Sequence, residues 1–510
     1  MHEASSIATL LERGAPDASA ICAPESAAPL RYRDLSALAR RTVETLNGLG
    51  IGRGDRVAMV LPNGPEMAAA FVCLAAGATT APLNPSYRAE EFEFYLTDLR
   101  AKALVVEAGA ETPARAVAKK LGVPIVELRA ERARGAGSFA LTPLESMGGA
   151  PDRGGFSSGE DIALVLHTSG TTSRPKIVPL QGKNVLATAR HIVGTLSLTP
   201  DDVCLNIMPL FHIHGLMAAT LSSLAAGARV SCSPGFNALK FFAWLDEVKP
   251  TWYTAVPTMH QAILARADRN AEIVARSRLR FIRSSSASLP PQVMAELEQT
   301  FRAPVIESYG MTEAAHQMAS NPLPPRARKP GSVGVAAGPE IAIMDEAGSL
   351  LRAGDVGEVV IRGPNVTAGY EANPEANAKA FTNSWFRTGD QGLLDDEGYL
   401  RLTGRLKELI NRGGEKISPL EVDEVLMDHP AVQQVVTFGM PHDKLGEDVA
   451  AAVVLREGQS ATERELRDFA ATRLADFKVP RKILLLPEIP KGATGKLQRI
   501  GLAAKLGLGA

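Results

Sequence analysis

The sequence predicts an α/β protein of at least two domains, and three observations carry this prediction. Apolar, strand-like runs alternate with helix-like segments through the first part of the chain. At 510 residues the chain is too long for one ordinary hydrophobic core. Near residue 400 the pattern changes and a second series of helices and strands begins. We therefore predict a large domain over residues 1–403 and a small α+β domain over residues 404–510.

The elements of the first part follow one another in strict alternation. Apolar residues recur at helical spacing from Leu35 to Leu46, and Gly50 closes that helix. Residues 56–62 (RVAMVLP) and 103–108 (ALVVEA) are typical of buried strands, with helical segments between them. Such alternation indicates a largely parallel sheet that is covered by helices on both faces.

The last quarter of the chain has its own set of elements. Before residue 400 the segments GEVVIRGPNVTAGY and DEGYLRLTG indicate short strands joined by turns. After Arg405 the pattern predicts a helix in SPLEVDEVLMDHP, strands around VVTFGMP and VAAAVVLRE, and a helix in ATERELRDFAATRLA. These elements are enough for a small domain of roughly a hundred residues.

Composition excludes several classes of protein. Charged residues are plentiful but balanced, leaving a formal net charge of −1, so no basic surface points to nucleic acid. The four cysteines, Cys22, Cys73, Cys204 and Cys232, lie far apart and form no CxxC pair, which argues against a disulfide framework or a zinc site. The first residues lack the pattern of a signal peptide, and no apolar run could span a bilayer. We therefore expect a cytoplasmic protein with no membrane or nucleic-acid partner; the oligomeric state stays open.

The first candidate site is a loop that follows the strand DIALVLH. Its small hydroxyl residues surround one glycine and are followed by a lysine; they are Thr168, Ser169, Gly170, Thr171, Thr172, Ser173 and Lys176. Backbone N–H groups and hydroxyls in such a loop can approach a polyphosphate together, while the lysine supplies charge. The Walker pattern is absent. A solvated polar turn would have the same composition, so both interpretations remain open.

Two further clusters carry carboxylates. PVIESYGMTEAAH includes Glu313, which is either a Mg²⁺ ligand or a carboxylate at a helix N-terminus. SWFRTGDQG includes Asp390, which either accepts hydrogen bonds from a ribose or belongs to an ordinary turn.

Two basic clusters lie in the last hundred residues. GRLKELINRGGEKISP contains Arg405 and Lys407 beside the predicted domain boundary, and its Gly413-Gly414 pair allows close approach to a ligand. PKGATGKLQR places Lys496 on a glycine-rich turn that could carry its charge to a reacting centre. A solvent-facing strand and a solvated lysine are the alternatives.

In this order the five clusters resemble those of the acyl-adenylate-forming superfamily, which includes acyl-CoA synthetases, luciferases and the adenylation domains of peptide synthetases. The resemblance covers essentially the whole chain. It implies a large domain of two related α/β subdomains plus a β-barrel, followed by a small mobile α+β domain. It also implies ATP, Mg²⁺ and coenzyme A as cofactors and a small carboxylic acid as substrate.

The resemblance further implies roles for individual residues. The segment from Thr168 to Lys176 would hold the ATP β- and γ-phosphates. Roles near the base, sugar and α-phosphate would fall to Tyr309, Gly310, Thr312, Asp390 and Arg405, with Glu313 on Mg²⁺. Lys407 would be the hinge, Lys496 would serve adenylation, and Gly413-Gly414 would face pantetheine. A carboxylate would attack the α-phosphate, pyrophosphate would leave, and the acyl group would pass to coenzyme A.

Longer runs resemble one branch, the plant and fungal oxalate–CoA ligases. These runs are HTSGTTSRPK with its unusual Ser173, PLFHIHGL, TWYTAVPTMHQ, FIRSSSASL, MTEAAHQMASNPLP and INRGGEKISP. The acid pocket would then be lined by His212 or His214, by the serine run Ser284, Ser286 and Ser288, and by His316. Hydroxyls and imidazoles suit a short, doubly charged acid better than a fatty chain.

His316 is the candidate for the second carboxylate of that acid. A helix-face histidine, and a serine run packed beneath adenine, are the alternative interpretations. Other acids remain open as substrates: malonate, a medium-chain fatty acid or an aryl acid. A ligase that loads a carrier protein, a luciferase and a non-catalytic nucleotide-binding protein are the remaining alternatives, and the last does not explain the lysine at 496.

Overall fold

The computed structural model of the chain describes residues 4–26, 28–168, 175–492 and 494–508. Within these ranges the strands form four sheets, of seven, nine, five and five strands. The first two sheets are mainly parallel and the third is antiparallel. The fourth belongs to the last hundred residues. The predicted α/β class is confirmed.

The seven-stranded sheet is built from the first third of the chain. Its strands are β3 (Arg56–Val60), β4 (Thr79–Pro82), β5 (Ala103–Glu107), β6 (Ile125–Ala130), β7 (Phe139–Pro143), β8 (Ile162–Thr168) and β9 (Lys176–Gln181). They lie in the order β7-β6-β5-β3-β4-β8-β9, with antiparallel pairs only at the two edges. The central strands are almost entirely buried, as their unbroken apolar sequences predicted.

The nine-stranded sheet combines the N-terminus with the middle of the chain. Its strands are β1 (Ser19–Cys22), β2 (Leu30–Arg31), β10 (Val203–Asn206), β11 (Arg229–Cys232), β12 (Trp252–Ala255), β13 (Phe281–Ser285), β14 (Val305–Met311), β15 (His316–Ser320) and β16 (Val335–Ala336). Strands β12, β13 and β14 run parallel side by side. Their carboxyl ends therefore meet at one edge, where open α/β sheets bind ligands.

A five-stranded antiparallel sheet follows, in the place where the resemblance implies a β-barrel. Its strands are β17 (Glu340–Met344), β18 (Gly357–Arg362), β19 (Phe381–Thr382), β20 (Trp385–Leu394) and β21 (Leu400–Arg405). The last strand pairs with β20 and ends at Arg405. The fourth sheet begins at Ile410 and comprises β22 (Ile410–Arg412), β23 (Glu415–Ile417), β24 (Val432–His442), β25 (Gly446–Leu455) and β26 (Lys482–Leu485).

Helices cover the sheets. The α-helices are α1 (Ile7–Leu10), α2 (Tyr32–Gly48), α3 (Pro65–Ala75), α4 (Ala89–Leu99), α5 (Pro113–Leu121), α6 (Gly182–Thr195), α7 (Ser222–Ala225), α8 (Phe241–Val248), α9 (Pro257–Ala267), α10 (Ala271–Arg276), α11 (Pro291–Phe301), α12 (Pro374–Ala380), α13 (Pro419–Met427), α14 (Glu463–Ala471) and α15 (Leu502–Lys505). Short 3₁₀ segments lie at Arg132–Arg134, Asp268–Asn270, Thr312–Ala314 and Asp476–Lys478, and a π-helix spans His214–Leu221. In the described part of the chain, no helix is both long and apolar enough to cross a membrane.

The last hundred residues pack against helices α9 and α11 of the preceding part. The side-chain amide of Gln261 donates to the carbonyl of Gln433 at 2.8 Å, and Arg456 pairs with Glu296 at 2.8 Å. One apolar cluster includes side chains from both parts of the chain. This arrangement brings the loop at Lys496 to the ligand-binding edge of the nine-stranded sheet.

Gly310, near the end of β14, lies so close to the first residue of β15 that only glycine fits there. A Cβ atom on Gly310 would lie 1.7 Å from the carbonyl oxygen of His316. The register between β14 and β15 shifts at this point, which lets His316 turn inward. Gly310 therefore has a structural reason for being glycine that is independent of any ligand.

We expect Gly310→Ala to lower the unfolding temperature, because overpacking typically costs about 1–3 kcal/mol. Gly48→Ala is the matched control, since a Cβ atom at that helical glycine would meet no neighbour within 4 Å. Thermal unfolding of both variants measures the difference. Equal midpoints would show that the β14–β15 junction relaxes without cost.

Candidate active site

The candidate site lies at the carboxyl ends of β12, β13 and β14. The antiparallel sheet contributes one wall and the loop before α15 contributes another. Four groups of side chains occupy it, and most of them combine residues from several elements.

Asp390 forms the centre of the first group. The β20–β21 register places it opposite Arg405, whose Nε lies 3.0 Å from its Oδ1. The hydroxyl of Tyr309, at the end of β14, donates to the other carboxylate oxygen. Burial raises the pKa of Tyr309 well above its ordinary value, so the phenol keeps its proton and Asp390 acts as the acceptor. Both oxygens keep a free lone pair, with which they can accept further hydroxyl donors.

The second group joins Glu313, Tyr370 and Lys176. Glu313 is buried, and the Tyr370 hydroxyl donates to its Oε1 at 2.8 Å. The Lys176 ammonium lies 4.4 Å from the centre of the Tyr370 ring. Burial raises the pKa of Glu313, while the hydrogen bond from Tyr370 opposes this shift. Sequence reasoning missed Tyr370, because the segment NVTAGY indicated only a strand and a turn.

These residues fit a magnesium ion that is bound mainly by phosphate. Glu313 offers one carboxylate oxygen beyond the one that Tyr370 occupies. Among the described residues no group of three or more His, Cys, Asp or Glu side chains could hold a metal. Mg²⁺ in nucleotide sites needs no such cage, since it takes one or two carboxylates together with phosphate oxygens and water.

Lys496 forms the third group. It lies half-buried on a turn in which its carbonyl accepts a hydrogen bond from the Gly492 amide at 2.8 Å. Burial, reinforced by the charge of Arg405 and opposed by Asp390, lowers the pKa of Lys496 to about 8. The same ammonium contributes to lowering the pKa of His212, so the two side chains lie within electrostatic range. In the described part of the chain no carboxylate pairs with the Lys496 ammonium.

The fourth group is a pocket around Arg283, which sequence reasoning also missed. Arg283 lies on β13 and its side chain is fully buried. Its guanidinium donates to His316 Nε2 at 3.1 Å, and lies 3.4 Å from both His214 Nε2 and Thr254 Oγ1. Among the described residues no carboxylate contacts it. The signal in the sequence was a charged residue inside the apolar strand FIRSS, since buried arginines are rare unless they are paired.

Burial determines the charge state of this pocket. It lowers the pKa of Arg283 to about 9, so the guanidinium remains charged at neutral pH. Burial also lowers the pKa of His214 and His316 well below the ordinary value, and these imidazoles are neutral. Their rings stack with centroids 5.1 Å apart, which two imidazolium ions would resist. The pocket therefore carries one uncompensated positive charge.

The hydrogen bonds also assign the protons. Arginine only donates, so His316 Nε2 accepts and its Nδ1 carries the proton. His214 Nε2 lies 2.6 Å from the Thr254 hydroxyl, and its Nδ1 lies 3.1 Å from the Ser286 hydroxyl. With Nε2 as acceptor, His214 donates through Nδ1 and leaves the Ser286 proton free for a ligand.

The remaining predicted residues lie as follows. His212 Nδ1 accepts from the His214 amide at 3.3 Å, which leaves its Nε2 protonated. Ser284 is fully buried, and its Oγ has no hydrogen-bond partner in the described part of the chain; Ser288 lines a cleft between the two parts of the chain.

Thr312 opens the 3₁₀ segment that carries Glu313. Ser169, Gly170, Thr171, Thr172 and Ser173 lie outside the described residues, and Thr168 and Lys176 flank them as a β8–β9 pair.

The hinge and turn candidates lie on the small domain side. Lys407 is exposed between β21 and β22. Gly413 and Gly414 form the turn between β22 and β23, with φ of 62° and 98°, where a side chain would be strained. The Gly413 amide donates to Leu445 at 2.8 Å, within the last hundred residues.

Comparison with known proteins agrees with this geometry. Residues 11–371 match the model of the AMP-binding enzymes, and residues 421–496 match that of the AMP-binding enzyme C-terminal domain. The oxalate–CoA ligase of Arabidopsis thaliana is 46% identical, with 92% of this chain and 91% of that protein covered. The oxalate–CoA ligase of Saccharomyces cerevisiae is 42% identical, with 95% and 94% covered.

The fold has a solved counterpart. The ATP-bound crystal structure of MatB from Rhodopseudomonas palustris has a TM-score of 0.86 and 30% identity, and 98% of this chain and 97% of that one are covered. Family models, curated relatives and a solved structure thus agree over nearly the whole length. The chain belongs to the family of AMP-binding enzymes and is an ATP-dependent acid–CoA ligase.

Proposed function

We propose that the acid is oxalate, which the enzyme converts to oxalyl-adenylate and then to oxalyl-CoA. The observation that carries this proposal is the buried Arg283 guanidinium, whose partners are all neutral. One carboxylate of the acid must reach the α-phosphate, so a second anionic group is needed to pair with Arg283, and in oxalate that group is the second carboxylate. Relatives named as oxalate–CoA ligases support the same choice.

The electrostatics disfavour an apolar acid. A fatty or aryl acid would leave the guanidinium desolvated and without an anion, and unpaired buried charges are costly. A dianion instead receives a bidentate partner in Arg283 and neutral donors from His316 and Ser286. Because both carboxylates of oxalate are adjacent, one molecule can contact this pocket and the nucleotide at the same time. His316 then holds the second carboxylate through Nδ1, as the sequence predicted.

The nucleotide is bound by the groups nearer the antiparallel sheet. Asp390 accepts the ribose hydroxyls while Tyr309 and Arg405 hold its carboxylate in place. Lys176 and the loop from Thr168 contact the β- and γ-phosphates, and Thr312 lies near the α-phosphate. Glu313 would hold Mg²⁺, and that ion would neutralise charge on the phosphate oxygens. Lys496 stabilises the charge that develops as the oxalate oxygen attacks and pyrophosphate leaves.

The second step needs a different arrangement of the small domain. Residues 404–510 rotate about Lys407, which withdraws Lys496 and brings the Gly413-Gly414 turn to the site. The bare backbone of that turn lets the pantetheine thiol approach the adenylate. Coenzyme A is the acceptor, as it is for acid–CoA ligases generally. The predicted boundary between residues 403 and 404 lies a few residues before this hinge, near the end of β21 at Arg405.

Oxalate should be the preferred acid in a panel with malonate, acetate, octanoate and 4-coumarate. The panel is measured as pyrophosphate release with ATP and Mg²⁺, each acid with and without coenzyme A. We expect strong turnover with oxalate that depends on coenzyme A. Turnover of a longer or apolar acid with oxalate inert would leave the family assignment intact and refute the dianion pocket.

Replacing Arg283 with methionine should lower kcat/KM for oxalate at least about 30-fold, since losing one partner of a buried charge pair costs about 2–5 kcal/mol. Activity on acetate should change little, because acetate has no second carboxylate. The unfolding temperature of the free enzyme should stay level or rise, since the variant no longer buries a lone charge. A lower midpoint with equal loss for both acids would identify Arg283 as a structural residue.

Lys496→Ala should abolish pyrophosphate formation and spare thioester formation from a supplied acyl-adenylate. In the unchanged enzyme the first step should weaken as pH rises through about 8, the value to which burial lowers the pKa of Lys496. Lys496→Arg should shift this loss of activity to higher pH, because a guanidinium keeps its proton. Stopped-flow or exchange assays of each step provide the measurement; equal loss of both steps would contradict the role of Lys496.

A further inference from the structure

We propose that the turn carrying Lys496 is clamped between Thr258 of the large domain and Arg499 of the small domain. Both act as positioning residues for adenylation, and Thr258 acts only in the present domain arrangement. This inference rests on the proposed role of Lys496 in the first step. Thr258 lies outside the five sequence clusters described above, and Arg499 ends the fifth, PKGATGKLQR, without a role of its own there.

The need for a clamp follows from the lysine itself. Within the described residues no side chain accepts a hydrogen bond from the Lys496 ammonium, and a lysine side chain has several free rotations. Its position therefore depends on the backbone that carries it. That backbone is a tight turn: the Gly495 amide donates to Gly492 at 2.9 Å, and Lys491 bridges to Leu497.

Thr258 holds the turn from the large domain. It lies in the first turn of α9 and is 9% exposed. Its hydroxyl donates to the carbonyl oxygen of Gly495 at 2.6 Å, one residue before Lys496. Gly495 has a φ of +80°, and a Cβ there would lie 3.4 to 3.7 Å from Met259, Val256 and Thr258. The glycine backbone thus lies directly against the start of α9.

Arg499 holds the turn from the opposite side. Its Nη2 lies 2.6 Å from Asp423 Oδ2, its Nη1 donates to the Thr437 carbonyl at 2.9 Å, and its Nε lies 3.5 Å from Glu408 Oε2. Asp423 belongs to α13 and Thr437 to β24, while Glu408 directly follows the hinge candidate Lys407. Arg499 therefore ties the lysine turn to the frame of the small domain and to the segment that would move it.

The two contacts differ in one respect that an experiment can use. Every partner of Arg499 lies between residues 404 and 510, so those contacts survive a rotation of the small domain. The bond from Thr258 joins the two domains and is broken by that rotation. Loss of Thr258 should therefore affect adenylation alone.

Thr258→Val keeps the shape of the side chain and removes the donor, and Thr258→Ser restores it. Gln261→Leu is the matched control, because Gln261 lies on the same helix and also bonds across the domains, to the Gln433 carbonyl at 2.8 Å, away from the lysine turn. Each full-length variant is assayed for oxalate-dependent ATP–pyrophosphate exchange and for thioester formation from a supplied acyl-adenylate. The pH dependence of exchange is recorded as well.

We expect Thr258→Val to lower exchange by roughly tenfold, the scale of one lost hydrogen bond, and to leave thioester formation within about twofold. The alkaline limb of the pH profile of exchange should move to higher pH in this variant. A loosened Lys496 is better hydrated, and its pKa therefore rises. Thr258→Ser should recover most of the exchange rate. Arg499→Lys should lower exchange similarly, since lysine cannot reach three partners in fork geometry.

Three results would overturn the proposal. If Gln261→Leu matches Thr258→Val, the contact serves general domain docking. If Thr258→Val slows adenylation and thioester formation equally, or leaves the alkaline limb of the pH profile unchanged, Thr258 does not position the lysine turn. If Lys496→Ala retains exchange, the role of Lys496 fails and the clamp fails with it. If the enzyme shows no exchange with oxalate but normal exchange with another acid, only the assignment of oxalate as the substrate fails.

Discussion

The buried guanidinium of Arg283 is the constraint around which the acid pocket is organised. It lies on a central strand of the nine-stranded sheet, fully out of water, and its contacts in the described structure are imidazoles and a hydroxyl. Because it donates every bond it makes, it fixes which nitrogen of His214 and His316 carries a proton. Those protons, in turn, determine which donors a ligand meets. Under the proposed function, an anionic substrate supplies the partner for this uncompensated charge.

The second constraint is that the site is divided among elements distant in the sequence. The antiparallel sheet supplies Asp390 and Arg405, the parallel sheet supplies Tyr309 and Arg283, and the small domain supplies Lys496. Only the packing of the small domain on α9 and α11 brings the lysine into electrostatic range of His212. In a site assembled in this way, one domain can move while the residues from the other elements stay in place. Such a division suits two reactions that share an intermediate and need different groups.

Much of the fold followed from the sequence. The helix predicted around Leu35 to Leu46 spans Tyr32–Gly48, and the strands predicted at 56–62 and 103–108 span Arg56–Val60 and Ala103–Glu107. These elements form because their hydrophobic patterns are strong and uninterrupted. Five polar clusters were recognised in their order, and the structure brings Tyr309, Asp390 and Arg405 into direct contact. The roles of all the site residues stay predictions, and residues 169–173 lie outside the described part of the chain. Tyr370 and Arg283 were missed, since one lies in a segment typical of a turn and the other inside an apolar strand.

The sequence by itself determined the fold class and the family, and it contained most of the chemical groups that we propose for phosphate, ribose and carboxylate. Local patterns and fixed spacings carry that information, because neighbouring residues share one element. Tertiary structure alone decided which groups are charged and which face one another. Burial of Arg283, the neutral state of His214 and His316 and the lowered pKa of Lys496 all depend on desolvation by residues far away in the chain. Desolvation is a property of the packed molecule, and no short stretch of sequence encodes it.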